Sequence, residues 1–95
     1  MRYADFEKTL SDKVPPEFVR GPLGALWHLA RGDWERAHLM AQADSSKEGA
    51  WVHAHLHRIE GDAWNAGYWY SRAGKPHCRL PVEEERRAII EALAG

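Results

Sequence analysis

The stretch Ala54-His55-Leu56-His57-Arg58-Ile59-Glu60-Gly61-Asp62-Ala63-Trp64-Asn65-Ala66 has a counterpart 29 residues earlier, Ala25-Leu26-Trp27-His28-Leu29-Ala30-Arg31-Gly32-Asp33-Trp34-Glu35-Arg36-Ala37. Both follow the pattern A-x-x-H-x-x-x-G-D-x-x-x-A, which has a mechanical meaning. A glycine can leave a helix in the left-handed conformation, an aspartate can cap the helix that follows, and small alanines let two antiparallel helices approach closely. Each copy therefore predicts a helical hairpin that turns at a Gly-Asp corner.

The segments around these corners extend the helical reading. Pro22 suits a first helical turn, and Leu23, Leu26, Trp27 and Ala30 follow at helical spacing, with Ala25 and Leu29 filling the other side. A helix apolar on most of its circumference is a buried one. The next helix is expected over Trp34 to Gln42, followed by a polar loop, Ala43 to Glu48, in which Ser45 and Glu48 have capping-box spacing. A helix from there to about Glu60 is followed by another from Ala63 to about Ala73, which stops at Gly74-Lys75-Pro76. Tyr3, Phe6 and Leu10 lie on one stripe of a short N-terminal helix ending before Pro15-Pro16, and the linker to Gly21 is expected to pack Phe18 and Val19 on the body. A last helix starts near Pro81, with Glu83, Glu84 and Glu85 favourably placed against its N-terminal dipole and Val82, Ile89, Ile90 and Leu93 as its apolar stripe. No segment alternates with period two long enough for a strand. The fold class is all-α, a bundle of five to six short antiparallel helices in one domain over 1–95. Its hairpins cover about 21–42 and 46–76, with helices over 3–12 and 81–94 as caps.

Composition narrows the function classes. Ninety-five residues leave no room for a second core, and thirteen Lys and Arg against fourteen Asp and Glu give a formal charge of −1. Such a balance lacks the basicity that drives phosphate-backbone binding, so nucleic acid is not an expected partner. One cysteine, Cys78, can form neither an intramolecular disulfide nor a C-x-x-C zinc site, which points to a reducing compartment. No apolar run reaches the ~18 to 20 residues of a membrane span, and the first ten residues carry Arg2, Asp5, Glu7 and Lys8 where a signal peptide would be apolar. A cytoplasmic protein without a membrane partner is expected. Phosphate-loop, dinucleotide and serine-elbow motifs are absent.

The stretch Asn65-Ala66-Gly67-Tyr68-Trp69-Tyr70-Ser71-Arg72-Ala73-Gly74 resembles the second helix of a Sel1-like repeat, and the Gly-Asp hairpins over roughly Gly21 to Pro76 resemble the wider tetratricopeptide class. Ala66, Trp69, Tyr70, Ala73 and Gly74 carry the likeness. The period of 29, shorter than the mid-thirties of those families, and the lack of an aromatic pair in the first copy depart from it. The resemblance implies peptide or protein binding on a helical face, and it does not imply catalysis.

Two constellations could carry chemistry. On the helix after Ser46, Val52, Leu56 and Ile59 form one apolar stripe and Ala50, Trp51 and Ala54 another, so the helix is expected to lie between two neighbours. The polar stripe left between them holds His53, His57 and Glu60. Imidazoles at i and i+4 with a carboxylate at i+7 can face one divalent cation such as zinc, or serve as an acid/base cluster with Glu60 orienting His57. His28, the repeat mate of His57, is the expected further ligand. The plainer alternative is a polar helix edge whose histidines are satisfied by hydrogen bonds.

On the following helix, Asn65, Tyr68, Trp69 and Arg72 share a face that suits a carboxylate, phosphate or peptide backbone, with Arg72 as the fork and Arg58 or Glu60 able to join. The plainer alternative there is a core Trp69 and a snorkelling Arg72. Cys78 beside His77 lies in a loop where adjacent side chains point apart, so that pair reads as incidental. The reading the sequence favours is a module that binds a peptide, protein or small anionic ligand, with no cofactor. The alternative is a metal-binding or His/Glu acid-base enzyme of hydrolase type, and self-association through the aromatic surface is a third outcome.

Overall fold

Apolar residues recurring every three to four positions and glycines at the corners produce six α-helices among residues 2–94, the residues that the computed structural model describes. They are α1 (Tyr3–Lys8), α2 (Pro22–Ala30), α3 (Trp34–Ala43), α4 (Lys47–Ile59), α5 (Ala63–Ala73) and α6 (Val82–Ala94), with a 3₁₀ turn at Thr9–Ser11. Among the described residues there is no strand, and no helix is long and apolar enough to cross a membrane.

The two Gly-Asp corners are nearly the same piece of backbone. Gly32 and Gly61 take φ of 86° and 79°, values that favour glycine, and the next amides return to the preceding helix in parallel ways. Asp33 N–H donates to the His28 carbonyl at 2.9 Å, and Asp62 N–H to the His57 carbonyl at 3.0 Å. Each aspartate then caps its helix, accepting from Arg36 N–H at 3.1 Å and from Asn65 N–H at 3.3 Å.

The loop before α4 departs from the expected cap by one residue. Asp44 accepts hydrogen bonds from the backbone N–H and hydroxyl of Ser46, which fixes Ser46 at the N-cap, and its hydroxyl oxygen accepts from Gly49 N–H at 3.0 Å. The loop then lies so close to α4 that a Cβ on Gly49 would stand 2.7 Å from the Asp44 carbonyl oxygen.

α4 packs against α2, α3, α5 and α6, while α6 also lies against α1 and α2. The main core joins Phe6, Val19, Leu26, Trp27, Val52, Leu56, Ile89 and Ile90, with Ala25, Ala37 and Ala41 allowing close helix approach. Full burial of one such large side chain is worth roughly 1.5–3 kcal/mol. Trp27 meets its polar requirement by donating from Nε1 to Thr9 Oγ1 at 3.1 Å. A second cluster, Ala54, Ala66 and Tyr70, lies between α4 and α5. Val19 is buried as expected, whereas Phe18 is 57% exposed. Val19 N–H bonds to the Pro16 carbonyl, a tight turn that brings one of these two neighbouring side chains onto the body and leaves the other in solvent.

Candidate functional site

The histidines of α4 divide by helical phase. His53 and His57, one turn apart, face α3 and α5, whereas His55, two positions from either, points to the other side toward α6. His38 of α3 completes a group of three imidazoles with ligand nitrogens all within 4.8 Å of one another. His38 Nε2 and His53 Nε2 are 3.1 Å apart, so one donates to the other. The His53 and His57 rings are nearly parallel at 4.9 Å between centroids, and His38 meets both edge-on at 4.8 and 5.3 Å.

Two indoles wall the group. Trp69 of α5 stacks on His53 at 3.9 Å, and Trp34 of α3 stacks on His38 at 4.9 Å. Trp34 is fixed by its Nε1, which donates to the Leu56 carbonyl at 3.1 Å and ties α3 to α4. Trp69 is the one member of the expected α5 constellation that touches the histidines.

Burial and crowding oppose protonation of His53 and His38. His53 is 3% exposed, and desolvation, with His38 and His57 as additional repelling neighbours, holds it down at about 4. His38 is lowered for the same reasons, desolvation first and His57 second, against a smaller opposing pull from Glu60. His53 Nδ1 is buried without a hydrogen-bond partner. If His53 donates its Nε2–H to His38, that nitrogen is an unfilled lone pair, the less costly of the two tautomers because no N–H is orphaned.

Behind His57, the Asp62 carboxylate lies 3.9 Å from Nδ1. Asp62 is also held by the Asn65 side-chain amide at 2.6 Å, and its carboxyl is lowered chiefly by the hydrogen bonds from Asn65. Asn65 therefore positions a carboxylate at the edge of the histidine group.

The opposite face of α4 has a different chemistry. Glu85 of α6 is 2% exposed, and every partner it has is a donor. His55 Nδ1–H and Arg58 Nη1 both donate to Oε1, at 2.7 and 3.0 Å, and the Tyr70 hydroxyl donates to Oε2. Arg86 Nε donates to His55 Nε2 at 3.3 Å, which assigns the His55 proton to Nδ1. Burial alone would push the Glu85 carboxyl up, yet the hydrogen bonds from His55, Tyr70 and Arg58 outweigh it and hold the group at about 2. Burial and the same carboxylate push the Tyr70 phenol upward. This is a filled ionic clasp joining α4, α5 and α6.

Several expected placements change accordingly. Glu60 is exposed and forms no hydrogen bond or ion pair with the three rings, because α4 ends at Ile59 and Glu60 stands at the corner. His28 does not join them: its ring lies edge-on to Trp27 at 5.0 Å, and desolvation followed by the Arg36 charge lowers its pKa. Arg58 turns away from the α5 face to Glu85 and the Leu80 carbonyl. Glu85 is an anchor in the interior, a different setting from the solvated helix start read from Glu83 to Glu85. Tyr68 and Arg72 do meet, with Arg72 Nη1 donating to the Tyr68 hydroxyl at 3.1 Å and the guanidinium standing over both the Tyr68 and Trp69 rings. His38 was missed by sequence reasoning, although it sits four residues after Trp34, beside the buried Ala37–Ala41 stripe that faces the core.

No protein-family model matches the chain, and no curated protein or solved structure matches it.

Proposed function

We propose that this protein binds a divalent transition-metal ion, zinc being the natural choice, through His38, His53 and His57. The observation that carries this reading is the convergence of three imidazoles from two helices, with no carboxylate or cation of the described residues hydrogen-bonded between them. Imidazole ligates in its neutral form, which is the form that burial favours at His53 and His38. Zinc–nitrogen bonds of ~2.0–2.1 Å place tetrahedral ligand atoms about 3.4 Å apart, so an ion would draw nitrogens that now lie within 4.8 Å inward by up to about 1.4 Å. Asp62 behind His57 Nδ1 supports the same reading, since a carboxylate there favours Nδ1–H and leaves Nε2 as the ligating atom. Three protein ligands leave one tetrahedral position for water or a substrate atom, the pattern of metal sites that react rather than brace a fold.

The test is elemental mass spectrometry on untagged protein, followed by cobalt titration of chelator-treated protein. The expected result is one ion per chain and a tetrahedral cobalt absorption band that His53→Leu abolishes. A metal-free protein whose cobalt spectrum stays that of the aqueous ion removes the reading.

A second reading, capture of a peptide or protein partner, is supported by the surface of α5, where Trp64 is 78% and Tyr68 44% exposed with their rings parallel. Its simplest form is self-association. Sedimentation at two concentrations tests it: a mass that rises with concentration and falls back in Trp64→Ser supports it, and an invariant monomer removes it.

A further inference from the structure

One helical turn from the histidines, toward the α3–α4 loop, the same three helices enclose a second feature. Gln42 lies four residues after His38 on α3, Ala50 three before His53 on α4, and Arg72 three after Trp69 on α5. Together with Asp44, Ser45, Ser46 and Lys47 they line a cleft of about 210 Å³ whose wall includes Trp69. It is smaller than the ~300 Å³ at which sites for drug-sized ligands begin, so it suits a ligand of few atoms.

The two cations of this cleft outnumber its one carboxylate. Neither Arg72 nor Lys47 has an ion-pair partner among the described residues, unlike Arg58 and Arg87. The one carboxylate in the wall, Asp44, is already engaged through Oδ1 by the Ser46 amide and hydroxyl. Arg72 is also held in place, because its guanidinium rests over Trp69 and Tyr68 and uses one of its five N–H groups on the Tyr68 hydroxyl. A guanidinium fixed by aromatic rings with its other N–H groups free is prepared for a planar or tetrahedral oxyanion.

We infer that this cleft binds a small oxyanion, a phosphate or carboxylate group, with Arg72 as the fork, Lys47 as the second charge and Trp69 as the wall. The inference goes beyond metal binding and does not depend on it, although Trp69 is shared by the cleft and the histidine group.

The test is an NMR titration of ¹⁵N-labelled, chelator-treated protein with inorganic phosphate and, separately, with acetate, at constant ionic strength set by chloride. Saturable shifts of the Arg72 Nε–H, the Trp69 indole N–H and the amides of Ser45 to Lys47 are expected. Arg72→Gln should raise the dissociation constant roughly tenfold or more, since a charge-assisted fork is lost. Arg72→Lys should recover part of the affinity, because it keeps the charge without the fork. Tighter binding of phosphate than acetate identifies a phosphate site, and the reverse a carboxylate site. Shifts that fail to saturate with either anion, or that persist unchanged in Arg72→Gln, overturn the inference. Because the protein carries no metal in this titration, His57→Ala, whose ring stacks on neither Trp69 nor Trp34, should keep the phosphate response, so failure of the cleft and failure of the metal site are read separately.

Discussion

Helix α4 carries two histidine environments on opposite faces, built from similar side chains to opposite ends. On one face His55 meets Glu85 and Arg86, Arg58 and Tyr70 also bond to Glu85, and each oxygen of the carboxylate has a donor. On the other, among the described residues, the rings of His38, His53 and His57 meet one another and two indoles, with Asp62 at the edge and one buried nitrogen left unpaired. The first arrangement holds a charge in the interior by surrounding it with partners. The second brings imidazole nitrogens together where burial opposes protonation of His38 and His53. A buried charge with all its bonds filled has no capacity for a ligand, whereas converging imidazole nitrogens bonded only to one another, one of them unpaired, do.

This contrast is broken most forcefully at Glu85. Replacing it with alanine leaves Arg58 and His55 facing a vacated interior, and breaking such a buried pair costs roughly 3–5 kcal/mol. Urea unfolding should show a loss of that order. A loss below about 1 kcal/mol would place Glu85 with ordinary surface residues, whose pairs contribute little.

Acid separates the two faces next. The fold prefers neutral His53, so the unfolded chain takes the proton first as pH falls. Stability is therefore full above about 6.5 and lost as pH drops toward about 4, by an amount on the order of 3 kcal/mol. Glu85 behaves as a depressed carboxylate, with its contribution full above about 4.5 and lost only as pH falls toward about 2. Denaturant unfolding at stepped pH should show the first decline flattened in His53→Leu. The same decline in the variant would assign the upper acid limb to other groups.

Metal gives a comparable effect of opposite sign. Zinc at one hundred times its dissociation constant should stabilise the wild type by about 2.7 kcal/mol and leave His57→Ala unmoved, read by thermal or urea unfolding. Equal stabilisation of the variant would mean that the ion binds elsewhere.

The smallest change tests the carboxylate at the edge. Asp62→Asn keeps a competent N-cap for α5, so the unfolding midpoint should barely move. Zinc affinity should nevertheless fall 10- to 100-fold, because the group behind His57 has lost its charge. An unchanged affinity would make Asp62 a cap and nothing more.

Much of this architecture was legible in the chain. The Gly-Asp corners, the aspartate caps and the end of α5 at Gly74 depend on local backbone physics, and the helices follow from apolar spacing. The phase of His53 and His57 was readable for the same reason. What stood across from them was not, because helical phase says which way a residue points and nothing about which helix it meets. His38 lies on a helix whose own pattern showed no chemistry, and its meeting with His53 depends on how α3 crosses α4. Glu85 was read from its neighbours Glu83 and Glu84 as one of an acidic run, yet successive residues on a helix point about 100° apart, and Glu85 is the one of the three that faces inward. Arg58 followed it there, away from the α5 face.

His38 is also where the account is most directly tested. Calorimetric titration of zinc into chelator-treated wild type and His38→Ala should give one ion per chain for the wild type and a loss of at least tenfold in affinity for the variant. Saturable binding that is the same with and without the His38 imidazole, or no binding in either protein, would contradict the three-histidine site.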